Sequence, residues 1–400
     1  MDQRFPTLLK RNIKLLAWFN FFTDFVFFAP VAIIYFAKVT GSVTLGMSIF
    51  SVAYVSSAIF EVPTGVVSDL VGRRKTAILG AVSAVMCVVL YAIGGSYSVL
   101  FWGAIVQGLS RSFYSGNNEA LLHDTLRESG EEGQYHSYLG KTNSMFQVAL
   151  AMASLAGGFM AAWSFKLVMW TSVVPQLCAL VLAIQIIEPT NRSTDESPNI
   201  FDHLSEAVRQ FKQNYKLRLL TSASVIRFSL GESAFFLRSA FVNTLWPLWA
   251  VGIAQMLSNI SGALSFYFSG KIIDRFGALK VLKFEIISNR IANLVALVFP
   301  SIVSPVLMAS TSLTFGAGSV ATNSLLQREF TVKQRATMGS LNSLGGSLAF
   351  GIFSILLGFI ADMTSLTTAL IVAHLLLLLP LYFYRKVFVH EVDQALTQAR

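Results

Sequence analysis

Apolar residues run through this chain in blocks of about twenty, which is neither the alternation of strands nor the one-sided stripe of a soluble helix. A helix needs roughly 20 mostly apolar residues to cross ~30 Å of hydrocarbon. Cutting at charged or turn-rich breaks yields twelve such blocks, at about 12–37, 46–69, 76–95, 98–125, 136–162, 166–187, 218–243, 248–272, 279–300, 304–327, 336–361 and 364–384. Barrel strands would be about ten residues long and alternating. Separators such as Gly94-Gly95-Ser96 and the run from Pro300 to Pro305 are so short that consecutive helices must be antiparallel. The pattern predicts an all-α polytopic membrane protein with twelve transmembrane helices.

A polar stretch from Pro189 to about Leu217 divides the blocks six and six. The expected organisation is an N-terminal six-helix bundle at 1–188, a central loop at 189–217, a C-terminal six-helix bundle at 218–388 and a tail at 389–400. Within the loop, Ile200, Phe201, Leu204, Ala207, Val208 and Phe211 recur at helical spacing, with Asp202, Glu206, Arg209 and Gln210 between them. That spacing predicts an amphipathic helix lying on the inner membrane surface.

Composition supports lipid as the solvent. The 400 residues are 54% hydrophobic and 13% charged, against about 25% charged in soluble chains. Thirty-three Phe cannot all hide in a soluble core under so few charges. A disordered chain, a secreted disulfide scaffold and an ordinary cytosolic enzyme are excluded. Cys87 and Cys178 fall in apolar runs and suit neither a disulfide nor a metal.

The net charge of +9 reports topology, not nucleic-acid binding. With the N-terminus placed in the cytoplasm, 24 of the 30 Lys and Arg fall on that side, and the other keeps only Lys38 and Lys166. This positive-inside bias puts both termini in the cytoplasm. The first apolar run is too long for a cleavable signal and lacks a small-residue cleavage site, so span one is expected in the mature protein.

The halves repeat. Gly65, Asp69, Gly72 and Lys75 after span two recur as Gly270, Asp274, Gly277 and Lys280 after span eight, at one offset of 205 residues. Gly140, Asn143 and Ser144 open span five, and Gly339, Asn342 and Ser343 open span eleven. Asp124 and Glu329 each close a span at its cytoplasmic end. Asp24 aligns over Glu232, and Phe27-Phe28 over Phe235-Phe236. Parallel repeats of six helices imply two bundles related by an axis along the membrane normal.

With these signatures the chain resembles the major facilitator superfamily of secondary transporters, over essentially its whole length. Gly65 to Lys75 looks like that family's Gly-x-x-x-Asp-x-x-Gly-Arg-Arg/Lys motif between helices two and three. The resemblance implies two six-helix bundles in pseudo-two-fold symmetry, with spans one, four, seven and ten lining a central cavity. It also implies a cytoplasmic gate of Gly65, Asp69, Gly72, Arg73 and Asp124, with Asp274 and Glu329 as second-half counterparts. The physical roles can be stated independently. Gly65 would let two helices approach, and Gly72 would permit a turn too tight for a Cβ. Asp69 would accept from a helix N-terminus of the other bundle, and Arg73 needs an acid at its depth, which Asp124 supplies. The alternative is a folding and topology determinant with no switching role.

Ionisable groups inside a span are costly and therefore functional candidates. The acids are Asp24, Glu61, Glu119, Glu232 and Glu285; the bases are Arg111, Arg227, Arg238 and Arg290. A carboxylate in a partly dry cavity holds its proton more tightly, and a nearby guanidinium loosens it. Asp24 is the leading proton-coupling acid, followed by Glu232 and Glu119. Asn20, Arg111, Arg238, Phe28 and Phe235 are cavity candidates. Static packing pairs are the rival reading for each charge, and for Arg290 the favoured one. His374 reads as structural, and His123 beside Asp124 could add pH sensitivity. Glu61 and Pro63, just before the gate loop, suggest either a structural kink or a gating hinge, with Thr64 able to satisfy a freed carbonyl.

The expected function is a secondary active transporter working by alternating access, with proton-coupled efflux (antiport) of amphipathic or cationic compounds favoured. The alternative is proton-coupled uptake (symport) of a small organic solute such as a sugar, amino acid, organic anion or siderophore. Departures bear on this: Ala104 stands where drug antiporters carry an Arg ahead of Gln107-Gly108, and Gly157-Gly158 in span five lacks the antiporter proline. Sugar-porter loop signatures are missing as well. A polytopic membrane enzyme is a distant alternative, since no nucleophile–base or metal-binding motif occurs; a signalling receptor on the same fold would need a larger cytosolic module. The chain is expected not to be an enzyme, to need no cofactor, and to act as a monomer in the bacterial inner membrane. Its partners would be a small-molecule substrate, protons and the lipid bilayer, with no nucleic acid.

Overall fold

Helix occupies every one of the twelve expected blocks. The computed structural model describes residues 4–189, 209, 211–329 and 335–387, and no strand occurs among them. The amphipathic segment expected at 200–211 and the tail at 389–400 fall outside the described residues, apart from Arg209 and Phe211.

In the first half, α1 (Arg4–Asp24) and α2 (Ala32–Thr40) share the first block, followed by α3 (Val43–Val71) and α4 (Arg73–Ile93). The fourth block holds α5 (Tyr97–Tyr114) and α6 (Asn117–Glu128). Next come α7 (Tyr135–Trp163), α8 (Phe165–Thr171) and α9 (Val173–Gln185). The second half contains α10 (Tyr215–Leu245), α11 (Leu248–Phe276), α12 (Ala278–Val298), α13 (Ser304–Ser310), α14 (Ser312–Glu329), α15 (Arg335–Met363) and α16 (Leu366–Leu376). Serines in the separators cap the helices they precede. Ser42 accepts from Leu45 N–H at 3.2 Å, and Ser365 accepts from Thr368 N–H at 3.0 Å, each pairing one donor that a helix start leaves open.

Among the described residues, seven helical segments are long and apolar enough to cross a bilayer: Arg11–Thr40, Val43–Val71, Arg73–Ile93, Met145–Trp163, Phe165–Gln185, Met338–Met363 and Leu366–Val387. The five other blocks hold helices that are interrupted, as at residues 115–116 and 311, or that carry charge or amides inside, such as Glu232, Gln255 and Glu285. Large apolar side chains lie open along the helices, Trp163 at 82% and Tyr267 at 80% exposure. Lipid, unlike water, accepts such surface.

The chain forms two compact units: Met1–Asp195 with Trp246–Ile260, and Glu196–Leu245 with Ser261–Arg400. In the first, α5 packs on α3 and α4, while α1 packs on α6, α7 and α9. Phe19, Ala77, Ala81, Ala179 and Ala183 form one buried cluster there. Helices in lipid gain little from hydrophobicity between themselves, so small residues that admit close backbones matter more. Gly158 shows this: a Cβ on it would come 2.6 Å from Trp249 O and 2.7 Å from Gly252 Cα. Beside this contact Asn259 donates to Ser154 Oγ at 3.2 Å, and Phe159 stacks on Trp249 at 5.6 Å between centroids. In the second unit, α10 packs on α15 and α16, and α12 on α14, around Leu220, Leu282, Ala321, Leu326 and Tyr384.

Candidate functional site

Span one is broken where its acid lies. α1 ends at Asp24, residues 25–28 are not helical, and a 3-10 turn at Ala29–Val31 leads into α2. Pro30, lacking an N–H, falls inside that turn and disfavours a continuous helix. Helix breaks leave carbonyls without partners. Here the buried amide of Gln176 on α9 supplies them, donating to Phe22 O at 3.3 Å and Thr23 O at 3.2 Å. The break is therefore a built feature, and it fixes Asp24 at a helix terminus.

Span four is broken beside it. Gly116, at φ +69, separates α5 from α6, a conformation that costs a side-chain-bearing residue about 1 kcal/mol or more. α6 then starts with Asn117, Asn118 and Glu119, an acid in the first turn where the helix dipole favours it. Asn118 Nδ2 donates to Asn20 Oδ1 at 2.9 Å, joining α6 to α1 one turn before Asp24. Arg111, on α5, is near enough for its charge to act on Asp24. Its guanidinium lies 4.4 Å from the centre of the Tyr54 ring, a cation–π contact. Asp24, Asn20, Asn118, Arg111 and Tyr54 thus gather around two interrupted helices.

A second cluster surrounds the loop between α3 and α4. Gly72 turns the chain at φ +101. Asp124 is 3% exposed, with Arg73 Nε 3.9 Å from its Oδ2 and His123 Nδ1 3.9 Å from its Oδ1. Arg73 Nη1 donates to Ser68 Oγ at 3.2 Å, Ser68 donates to Asn117 Oδ1 at 3.1 Å, and Asn117 Nδ2 donates to Arg73 O at 3.1 Å. Asp69 lies exposed in the last turn of α3. Among the described residues, a Cβ on Gly65 would meet nothing within 4 Å. Pro63 sits inside a continuous α3, with Thr64 Oγ1 donating to Phe60 O at 2.8 Å, while Glu61 is half-buried.

The second half does not copy the first. Asp274 is exposed at the end of α11. Glu329, expected as the counterpart of Asp124, accepts instead from Lys216 Nζ at 2.8 Å and Asn214 Nδ2 at 3.3 Å, both beside the start of α10. Glu232 is half-buried on α10. Arg238 donates to Met308 O at 3.2 Å and lies 4.9 Å from the Phe235 ring. Deeper in, Arg227 Nη2 lies 3.3 Å from Glu285 Oε1, and Asn289 donates to the same oxygen at 2.9 Å. Gly318 makes room: its Cβ would come 2.8 Å from Arg227 Nη2 and 2.9 Å from Glu285 Cγ. Arg290 Nη1 meets His374 Nδ1 at 3.1 Å, and Glu285 is near enough for its charge to act on Arg290. Phe28 is buried against Tyr91, 5.7 Å between centroids, inside the first unit.

Pattern reading passed over Asn118, Asn117, Tyr54, Ser68 and Gln176. Asn118 and Asn117 carry a faint signal, since two adjacent amides directly after Ser115-Gly116 are unusual inside an apolar block. Tyr54, Ser68 and Gln176 carry none, because their roles exist only once helices distant in sequence are packed.

The family model described as Major Facilitator Superfamily matches residues 15–329. The chain is 24% identical over 298 residues to the quinolone resistance protein NorA of Staphylococcus aureus (strain MSSA476), covering 70% of this chain and 72% of that one. It is 20% identical over 303 residues to multidrug resistance protein 2 of Bacillus subtilis (strain 168), covering 71% and 73%. Among solved structures, a variant of the nucleoside transporter NupG superposes with a TM-score of 0.79 at 13% identity, over 95% of this chain and 100% of the other.

Proposed function

The chain belongs to the Major Facilitator Superfamily, and from that premise we propose that it is a proton-coupled exporter of amphipathic or cationic compounds. The observation that carries this reading is Asp24 at the broken end of α1, with Arg111 acting on it and the Asn20–Asn118 pair one turn away. A carboxylate so placed can exchange a proton for a cation, because either one offsets its charge. Arg111, whose charge acts on Asp24, would compete with both of them for it. Glu119 is a secondary acid of the same unit, and Glu232, Arg238 and Phe235 are the corresponding candidates of the second unit. The names of two relatives, one for quinolone resistance and one for multidrug resistance, favour export over uptake.

The gate is the Gly72 loop with Asp69, Arg73 and Asp124, which by the Lys and Arg distribution faces the cytoplasm, as both termini do. The host membrane would be the bacterial inner membrane. Cells expressing the chain, preloaded with a fluorescent lipophilic cation and then energised, test the reading. Efflux from cells carrying the unaltered chain and its loss in Asp24→Asn, at equal protein level, would support it. Equal efflux by the two would refute the assignment of Asp24.

A further inference from the structure

Glu188, which no motif singles out, reaches the gate loop from the far end of the first half. Its two carboxylate oxygens accept separately from the first two backbone donors of α4, Arg73 N–H to Oε1 and Arg74 N–H to Oε2, both at 2.8 Å. A helix start leaves such donors unpaired, and Gly72 has no side chain with which to cap them. An acid 115 residues further along the chain takes that place. Charge-assisted hydrogen bonds of this kind are about twice as strong as neutral ones.

The contact is returned and extended. Arg74 Nη2 donates to Ile184 O at 2.7 Å. Asn12 on α1, fully buried, donates to Ile187 O at 2.7 Å and accepts from Ile187 N–H at 2.9 Å. Arg11 donates to Gln185 Oε1 at 2.9 Å. The five residues from Ile184 to Glu188 therefore bind α1 on one side and the start of α4 on the other. Arg73 is held at its N–H by Glu188, at its carbonyl by Asn117 and at its guanidinium by Ser68, and from that position it faces Asp124.

We propose that Glu188 is a positioning residue of the gate: it fixes the first turn of α4 so that Arg73 meets Asp124, and it makes the gate loop and the start of the central connection move as one body. This rests on the gating role given to Arg73 and Asp124 above. The rival is a helix cap that adds stability and nothing else.

Glu188→Gln separates the two. It keeps the shape but offers one acceptor oxygen to two N–H donors, and turns its own NH2 toward the second. Backbone hydrogen exchange of the full-length chain in nanodiscs reads the cap directly, and transport of a fluorescent lipophilic cation by the same preparation reads the gate. The expected result is exchange about tenfold faster at Arg73 and Arg74, with a maximal transport rate lower by about fivefold and a KM within about twofold. Glu188→Asp, which keeps the charge on a shorter arm, should recover part of both. Unchanged exchange would overturn the cap, and faster exchange with unchanged transport would leave only the rival. If Glu188→Ala fails to fold, Glu188→Gln still decides. If the unaltered chain moves no cation, the exporter reading fails by itself and the proposed gate with it, whereas the exchange result still decides whether Glu188 holds the loop.

Discussion

Asn118 donates to Asn20 at 2.9 Å, across 98 residues of chain, and so links the start of α6 to the last full turn of α1 before Asp24. Two amides paired inside an apolar block cost little while paired and more when one is left alone. Asn20→Ala and Asn118→Ala should each slow cation export, and the double variant should be no worse than the more damaging single one. A double-mutant cycle on the maximal export rate would measure the coupling, expected at about 1 kcal/mol. Additive losses would show that the two amides act separately.

Arg73 and Asp124 are unequally placed, since Asp124 is buried and Arg73 partly open. Removing Arg73 strands a buried carboxylate, whereas neutralising Asp124 strands only a side chain that water can reach. Arg73→Ala should therefore lower stability more than Asp124→Asn, by roughly 1–3 kcal/mol after allowing for that exposure. Combining the two should restore part of the loss. Thermal unfolding in detergent, read for all four proteins, checks the order.

The Arg227–Glu285 pair depends on the missing side chain of Gly318. Gly318→Ala places a methyl against Glu285 Cγ at 2.9 Å and should cost about 1–3 kcal/mol. Glu285→Ala should cost more, because it leaves the largely buried Arg227 guanidinium without its carboxylate. Replacing Arg227 and Glu285 together by Gln and Leu should recover much of it. Unfolding midpoints of the variants provide the test.

The large features of this chain were legible because lipid makes them simple. A block of about twenty apolar residues between Gly41-Ser42 and Gly72 has one outcome in a bilayer, and α3 spans it from Val43 to Val71. Gly72 could be read as a turn residue because only glycine tolerates its φ of +101. Asp124 could be matched to Arg73 because both lie at span ends on one side. What stayed hidden were features made by contact between distant segments. The break after Asp24 is completed by Gln176, and the cap on α4 comes from Glu188; neither residue belongs to a local pattern. The two copies of the repeat differ in their pairing. Asp124 and Glu329 occupy equivalent positions, yet Lys216 and Asn214 lie next to Glu329, so the second copy forms a different pair.

Asp24 as the exchange point between proton and cargo is the central claim. Proteoliposomes holding an internal pH dye, challenged in turn with lipophilic cations, sugars, amino acids and organic anions, test it most directly. The account predicts that a lipophilic cation drives protons the opposite way, that the sugars and amino acids do not, and that Asp24→Asn abolishes the signal while leaving the protein folded. Proton movement in the same direction as a sugar or amino acid, or an undiminished signal from Asp24→Asn, would contradict it.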